Sequence, residues 1–252
     1  MLKNTFKSFD DYFSSQVETH LEKITLLWFC GLTALPLREA SERLLRRQSL
    51  SLVCMGSRNG IEPHLFHDYG FARALGTDIA PTANIFPYMM QHDFHDFRPS
   101  YVAPFDVLYS NSFDHSYDFD RFLLASRSFL NDQSLIIFDY SPSDNLYVSP
   151  GSADCLAISM EEMIERVYSV LGYQLVCNAS ADPNIASGWK HYKDLRHLIF
   201  ASPSVFKSNP SICDSLKSEY LDYSCCDKKF VDDYLRKVQL IANHHFSFYK
   251  AD

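Results

Sequence analysis

The chain has 252 residues and a net charge of -8, with 20 Phe and 15 Tyr. That length fits one well-filled α/β domain with decorations rather than two independent units, and the aromatic weight suits a sizeable core or an apolar pocket. The acidic balance excludes a general nucleic-acid binder, which needs clustered Lys and Arg; Arg43, Arg46 and Arg47 are the candidate basic patch and read as a solvated helix face. Seven cysteines without framework spacing point to a reducing compartment, so a cytoplasmic location is expected. The N-terminal residues lack the apolar core of a signal peptide. Residues 24–37 are apolar but too short to span a bilayer and are interrupted by Gly31 and Pro36; a buried helix is expected there, with no membrane span.

In chain order, residues 1–48 read as a helical cap. Phe9, Phe13, Val17, Leu21 and Ile24 recur at helical steps with Asp10, Asp11, Glu18 and Glu22 between them, and Leu37, Ala40, Leu44 and Leu45 mark a second helix after Pro36. Leu50, Leu52 and Val53 form a short apolar run suited to a buried parallel strand. The turn Gly56-Ser57-Arg58-Asn59-Gly60 breaks it, a helix begins at Ile61, and Leu75 and Gly76 lead into a second strand ending at Asp78. Residues 105–109 read as a strand, 119–129 as a helix, and 134–139 as a strand closed by Ser141-Pro142-Ser143. A loop follows, with Tyr140 and Tyr147 in it, and residues 159–162 form a capping box for a helix carrying Met163, Ile164, Val167 and Leu171 on one face. Gly172 ends that helix, strands begin at Tyr173 and Leu195, and residues 202–252 form an extension with a helix over 230–243. The alternation of strand and helix predicts a doubly wound sheet over residues 49–201.

The glycine-bearing turn lets a backbone approach a ligand closely, and a carboxylate at the tip of the next strand is placed to accept from the two hydroxyls of a ribose. Together they suggest a nucleoside-containing cofactor. A metal is not expected: His92 and His95 would lie on opposite sides of an extended chain, although His64 and His67 could share a helix face. A G-x-S-x-G nucleophile elbow and a G-x-x-x-x-G-K-[ST] phosphate loop are both missing.

The order of elements over residues 48–201 resembles class I S-adenosylmethionine-dependent methyltransferases. The stretch Val53-Cys54-Met55-Gly56-Ser57-Arg58-Asn59-Gly60 is similar to that family's first strand and G-x-G-x-G turn, with Gly56 and Gly60 on the outer glycines. Arg58 replaces the middle glycine and Cys54 the acidic residue that usually ends the strand. Asp78 matches the ribose carboxylate, with Ile79 against the adenine; Met90-Gln91-His92-Asp93-Phe94 resembles the third strand end, where Asp93 would accept from the adenine amino group. Residues 105–115, FDVLYSNSFDH, resemble the fourth-strand motif, whose tip lies near the reactive methyl. The expected turn before the fifth strand is Asn131-Asp132-Gln133-Ser134.

The resemblance implies a Rossmann-like, doubly wound, seven-stranded and mostly parallel α/β sheet with flanking helices, an N-terminal helical cap and a C-terminal helical tail. It implies S-adenosylmethionine as methyl donor, with Gly56, Ser57, Arg58, Gly60, Asp78, Ile79, Asp93, Phe94, Ser110 and Asn111 at the cofactor. His115 is the leading candidate for a general base that removes the proton of a hydroxyl acceptor; Asp114 is the alternative or a helix cap, and Asp139 also faces the cofactor side. Arg58 either pairs with the cofactor carboxylate or turns to solvent. The run around Ser110–Asp118 further resembles bacterial methyltransferases of polysaccharide and small-molecule biosynthesis. The expected activity is O-methylation of a small molecule or a sugar precursor, the acceptor bound beneath the N-terminal helices, the loop 141–158 and the tail. Two other readings stand beside it: a non-catalytic binding or assembly protein on the same fold, and a nicotinamide-dependent oxidoreductase, which would need glycine where Ile61 stands.

Overall fold

The computed structural model describes residues 6–26, 31–146, 154–180, 194–211, 221 and 228–249. The first helix, α1 (Phe9–Glu22), is capped by the Ser8 side chain, and a short 3-10 turn, Gly31–Thr33, leads into α2 (Ala34–Leu45). The apolar stretch 24–37 is therefore not one helix. Its C-terminal part helps to start α2, where Pro36 stands in the first turn and its missing N–H lacks no intrahelical partner.

The central alternation follows: β1 (Ser51–Met55), α3 (Ile61–Asp68), β2 (Arg73–Asp78), β3 (Met89–Gln91), β4 (Phe105–Ser110), α4 (Phe119–Ser128) and β5 (Leu130–Tyr140). After these come α5 (Pro142–Asn145), α6 (Met160–Leu171), β6 (Gln174–Ser180), β7 (Arg196–Ala201), α7 (Pro203–Ser208) and α8 (Lys228–Tyr249). The strands form one seven-stranded sheet in the order β3-β2-β1-β4-β5-β7-β6. Six strands run in one direction and β7 is reversed, antiparallel to both β5 and β6, as in a mostly parallel Rossmann-like sheet. Residues 131–134, expected as a turn, lie inside β5 as an irregularity: Phe105 pairs with Leu130, but Val107 pairs with Leu135.

Alternation along the strands divides two cores. Leu52, Cys54, Val107, Tyr109 and Ile137 face α2, α3, α7 and α8, while Val53, Met55, Leu108, Ile136 and Phe138 face α4 and α6. The capping box expected at Ser159 and Glu162 forms, and α6 ends on Gly172 in the left-handed conformation. Tyr140, expected in the loop, instead ends β5 and belongs to the core: it is buried and its hydroxyl donates to the Ile158 carbonyl. Tyr147 lies outside the described residues. Arg47 is not simply solvated, for its guanidinium pairs with Asp106, which also accepts from Ser51 and Asn131. No helix among the described residues is long and apolar enough to cross a membrane.

Strand order reverses between β1 and β4, and the crevice outside their carboxyl ends is where an open α/β sheet accepts a ligand. α1 lies across that crevice.

Candidate functional site

The β1–α3 turn is built from its backbone. The amides of Gly56 and Ser57 both donate to the Thr77 carbonyl at the end of β2, 2.9 Å each. Gly56 and Gly60 have φ of +82° and +72°, in the left-handed region. A Cβ on Gly60 would stand 2.7 Å from Met89 Cγ and 2.9 Å from the Pro87 carbonyl; one on Gly56 would stand 2.7 Å from Ser112 Cβ. Both glycines thus allow close approach of the chain's own neighbours. Arg58 also takes positive φ, +45°, a conformation that costs a non-glycine residue about 1–2 kcal/mol.

Asp78 is the electrostatic centre. Its Oδ2 accepts from the Arg58 amide at 3.0 Å and its Oδ1 from the Ala80 amide at 3.0 Å. His20 of α1 completes the set, with Nδ1 3.0 Å from Asp78 Oδ1 and Nε2 2.6 Å from Thr82 Oγ1. Burial alone would raise the carboxyl; the His20 contact and the two amides outweigh it and hold Asp78 below the usual carboxylate range.

A cavity of about 40 Å³ remains beside this cluster, lined by Gly56, Arg58, Asp78, Ile79, Phe94, Ser112 and His115 from the sheet side and by Tyr12, Gln16, Thr19 and His20 from α1. His115 faces α1 through Nδ1, 3.0 Å from Gln16 Oε1, and Asp154 Oδ1 lies 3.4 Å from its Nε2. Of the sequence candidates, then, Gly56, Arg58, Asp78, Ile79, Phe94 and His115 converge on one cavity.

The others have different surroundings. Asp93 accepts from the amide and Nδ1 of His95, at 2.9 and 2.8 Å, and is not part of the cavity wall. Burial would raise its carboxyl, but the His95 contacts hold it low. Ser57 is buried under the turn, and Ser110 donates to the Met55 carbonyl, tying β4 to β1. Asn111 donates to Glu62 Oε1 at 2.8 Å. Asp114 accepts from Asn145, and its carbonyl receives the amides of Cys155 and Leu156, so it anchors the loop after α5. Asp139 is buried between Tyr109 and His197, each 2.6 Å away, and does not line the cavity. Of the histidines considered for a metal, His95 contacts Ser116 through Nε2 and His92 contacts the Asp96 carbonyl, while His64 and His67 each lie 3.9 Å from Asp68 Oδ1.

Sequence reasoning placed the first helix but not its buried face. The apolar stripe through Phe9, Phe13 and Leu21 is not the side that packs inward: Phe9 is 49% and Leu21 40% exposed while Tyr12, Gln16 and His20 are buried. The inward face is polar because the groups it meets, Asp78 and His115, need hydrogen-bond partners. The i, i+4, i+8 spacing of Tyr12, Gln16 and His20 was the available signal.

Glu62, on the first turn of α3, was also missed. Its side chain is buried, and Oε2 has no hydrogen-bond partner among the described residues, a state that costs about 1–3 kcal/mol in a buried polar group. Burial pushes the carboxyl up to about 7 against the opposing Asn111 and Ser57 contacts and the Arg58 charge.

The polar groups suit a nucleoside with a charged tail: a strand-end carboxylate, an orphaned buried carboxylate oxygen, and a cation in the turn. The cavity of about 40 Å³ beneath α1 is smaller than such a ligand.

No family model and no curated protein matches the sequence. Solved structures do match the fold. The 1,6-didemethyltoxoflavin-N1-methyltransferase of Burkholderia thailandensis, holding 1,6-didemethyltoxoflavin and S-adenosylhomocysteine, has a TM-score of 0.57 at 14% identity over 78% of this chain and 91% of that chain. The plantazolicin methyltransferase BpumL, in complex with a pentazolic desmethylPZN analog and S-adenosylhomocysteine, gives 0.54 at 14% identity over 79% and 93%. A complex of the Haloferax volcanii Trm112 methyltransferase activator with a putative methyltransferase gives 0.51 at 14% identity over 77% and 98%. The chain has the fold of class I S-adenosylmethionine-dependent methyltransferases.

Proposed function

We propose that the protein is a cytoplasmic S-adenosylmethionine-dependent methyltransferase acting on a hydroxyl of a small molecule or a sugar precursor. The observation that carries this reading is Asp78, an ionised carboxylate at the tip of β2 beside a left-handed glycine turn at the sheet's switch point. The bound cofactor supplies an electrophilic methyl group. Asp78 accepts from the ribose hydroxyls in place of His20, Ile79 and Phe94 give apolar walls, and the Arg58 amide keeps Asp78 aimed.

His115 follows β4 across the cavity. With Nδ1–H donated to Gln16 Oε1, its Nε2 carries the lone pair that takes the acceptor's proton, and the Asp154 carboxylate stabilises the imidazolium so formed. In a displacement of this kind the protein contributes chiefly position and dryness, which the α1 cover provides.

A second reading has its own support. α1 already satisfies Asp78 and His115 and leaves about 40 Å³, which favours a non-catalytic protein on the same fold. Calorimetry with S-adenosylhomocysteine separates the two. Micromolar-range binding that Asp78→Ala weakens by about 10-fold or more supports the cofactor site; no heat of binding by a folded wild-type protein supports the second.

A further inference from the structure

We propose that Glu62 and Arg58 recognise the amino-acid moiety of the ligand, Glu62 taking its ammonium and Arg58 its carboxylate. This rests on the cofactor reading above and names the side chains that replace the acid absent from the end of β1.

Cys54 holds that strand-end position. Its thiol is fully buried, and burial together with the neighbouring Glu62 charge pushes it well above the usual thiol range, so it stays neutral. The negative charge at this end of the sheet comes instead from α3. Glu62 is only 7% exposed, and one of its oxygens is held by Asn111 while the other has no hydrogen-bond partner among the described residues.

The surroundings hold too many acceptors. The Ser112 hydroxyl, with a single proton, lies 3.1 Å from the Gly56 carbonyl and 3.0 Å from Asn111 Oδ1. One proton cannot serve both, and Glu62 Oε2 has no donor within hydrogen-bond distance among the described residues. Two acceptors are left without a proton, and an ammonium brings the donors they lack. Ser112 is itself a wall of the cavity, so the cluster adjoins the space beside Asp78.

Arg58 supplies the opposite charge. It lines the same cavity, and its guanidinium makes no hydrogen bond or ion pair among the described residues. Burial works against its charge, with Asp78 and Glu62 restoring it. A guanidinium so placed matches a carboxylate by paired hydrogen bonds. The strained left-handed backbone at this residue keeps the side chain at the cavity while its amide remains on Asp78.

The test compares ligands with and without the charged tail on the full chain: S-adenosylhomocysteine against 5′-methylthioadenosine, and S-adenosylmethionine against its decarboxylated form. Wild-type protein should prefer S-adenosylhomocysteine, and Glu62→Gln should weaken that ligand by about 10- to 100-fold with 5′-methylthioadenosine unchanged. Arg58→Met should erase the preference for S-adenosylmethionine over the decarboxylated form. Melting temperature, read in parallel, should rise or hold for Glu62→Gln, because a buried unpaired charge is lost. A Glu62→Gln protein that binds S-adenosylhomocysteine normally, or loses both ligands equally, overturns the assignment; so does a wild type that binds 5′-methylthioadenosine with no preference for the longer ligand. If wild type binds neither, the cofactor reading itself fails.

Discussion

His20 Nδ1 stands 3.0 Å from Asp78 Oδ1, bringing an N-terminal helix onto the strand-end carboxylate that a ribose would use. The two residues are 58 apart in sequence, and Thr82 closes the other side of the ring at 2.6 Å. Ligand and helix therefore compete for one acceptor.

His20→Ala should raise the affinity for S-adenosylhomocysteine by about 10-fold, since the contact displaced by the ligand is already gone. The same change should lower folding stability by about 1–3 kcal/mol. Calorimetry and denaturant unfolding read the two effects; weaker ligand binding would show that His20 helps to hold the ligand instead.

Glu62 makes stability depend on pH with an unusual sign. Its carboxyl is raised in the folded protein from 4.5 to about 7, so the folded state binds the proton more tightly than the unfolded chain. Its contribution is fully present below about pH 4.5 and is lost as pH rises through about 7, on the order of 3 kcal/mol in total. Urea unfolding at pH 5, 6, 7 and 8 should show this decline in wild type and a flatter profile in Glu62→Gln. Ligand affinity should run the other way, rising over the same interval as the carboxylate forms.

His115→Gln should reduce the methyl-transfer rate by about 100-fold or more while leaving S-adenosylhomocysteine affinity within about twofold. The assay is release of S-adenosylhomocysteine with an accepted substrate. An unchanged rate removes His115 from the chemistry and leaves it a partner of Gln16.

Gly60→Ala should destabilise the fold by about 2 kcal/mol or more, because a positive-φ alanine is strained and its Cβ meets the Pro87 backbone as well as Met89. Chemical denaturation measures it. A loss below about 0.5 kcal/mol would mean that the loop before β3 yields readily.

Fold was legible where physics is local. Short apolar runs such as Leu50–Val53 can be satisfied only as buried strands between helices, and Gly56, Gly172, Ser159 and Glu162 mark chain reversals and helix ends through their own backbone and side-chain chemistry. The irregularity at 131–134 escaped, and β3 was legible only through the resemblance at Met90–Phe94, because the strand state of both depends on pairing with β4 and β2, which local pattern does not encode.

By itself the sequence determined an alternating α/β chain, a left-handed turn between Gly56 and Gly60, and a carboxylate at the tip of β2. Only the tertiary structure decided what those groups face. Helical spacing pointed Phe9 and Leu21 inward, but the partners awaiting α1 were an ionised aspartate and a histidine, so Gln16 and His20 went in. The acid missing from Cys54 is found on α3, since Glu62 is a neighbour of that site in space and eight residues away along the chain. Periodicity states which residues share a face; the charges across the interface select which face is buried.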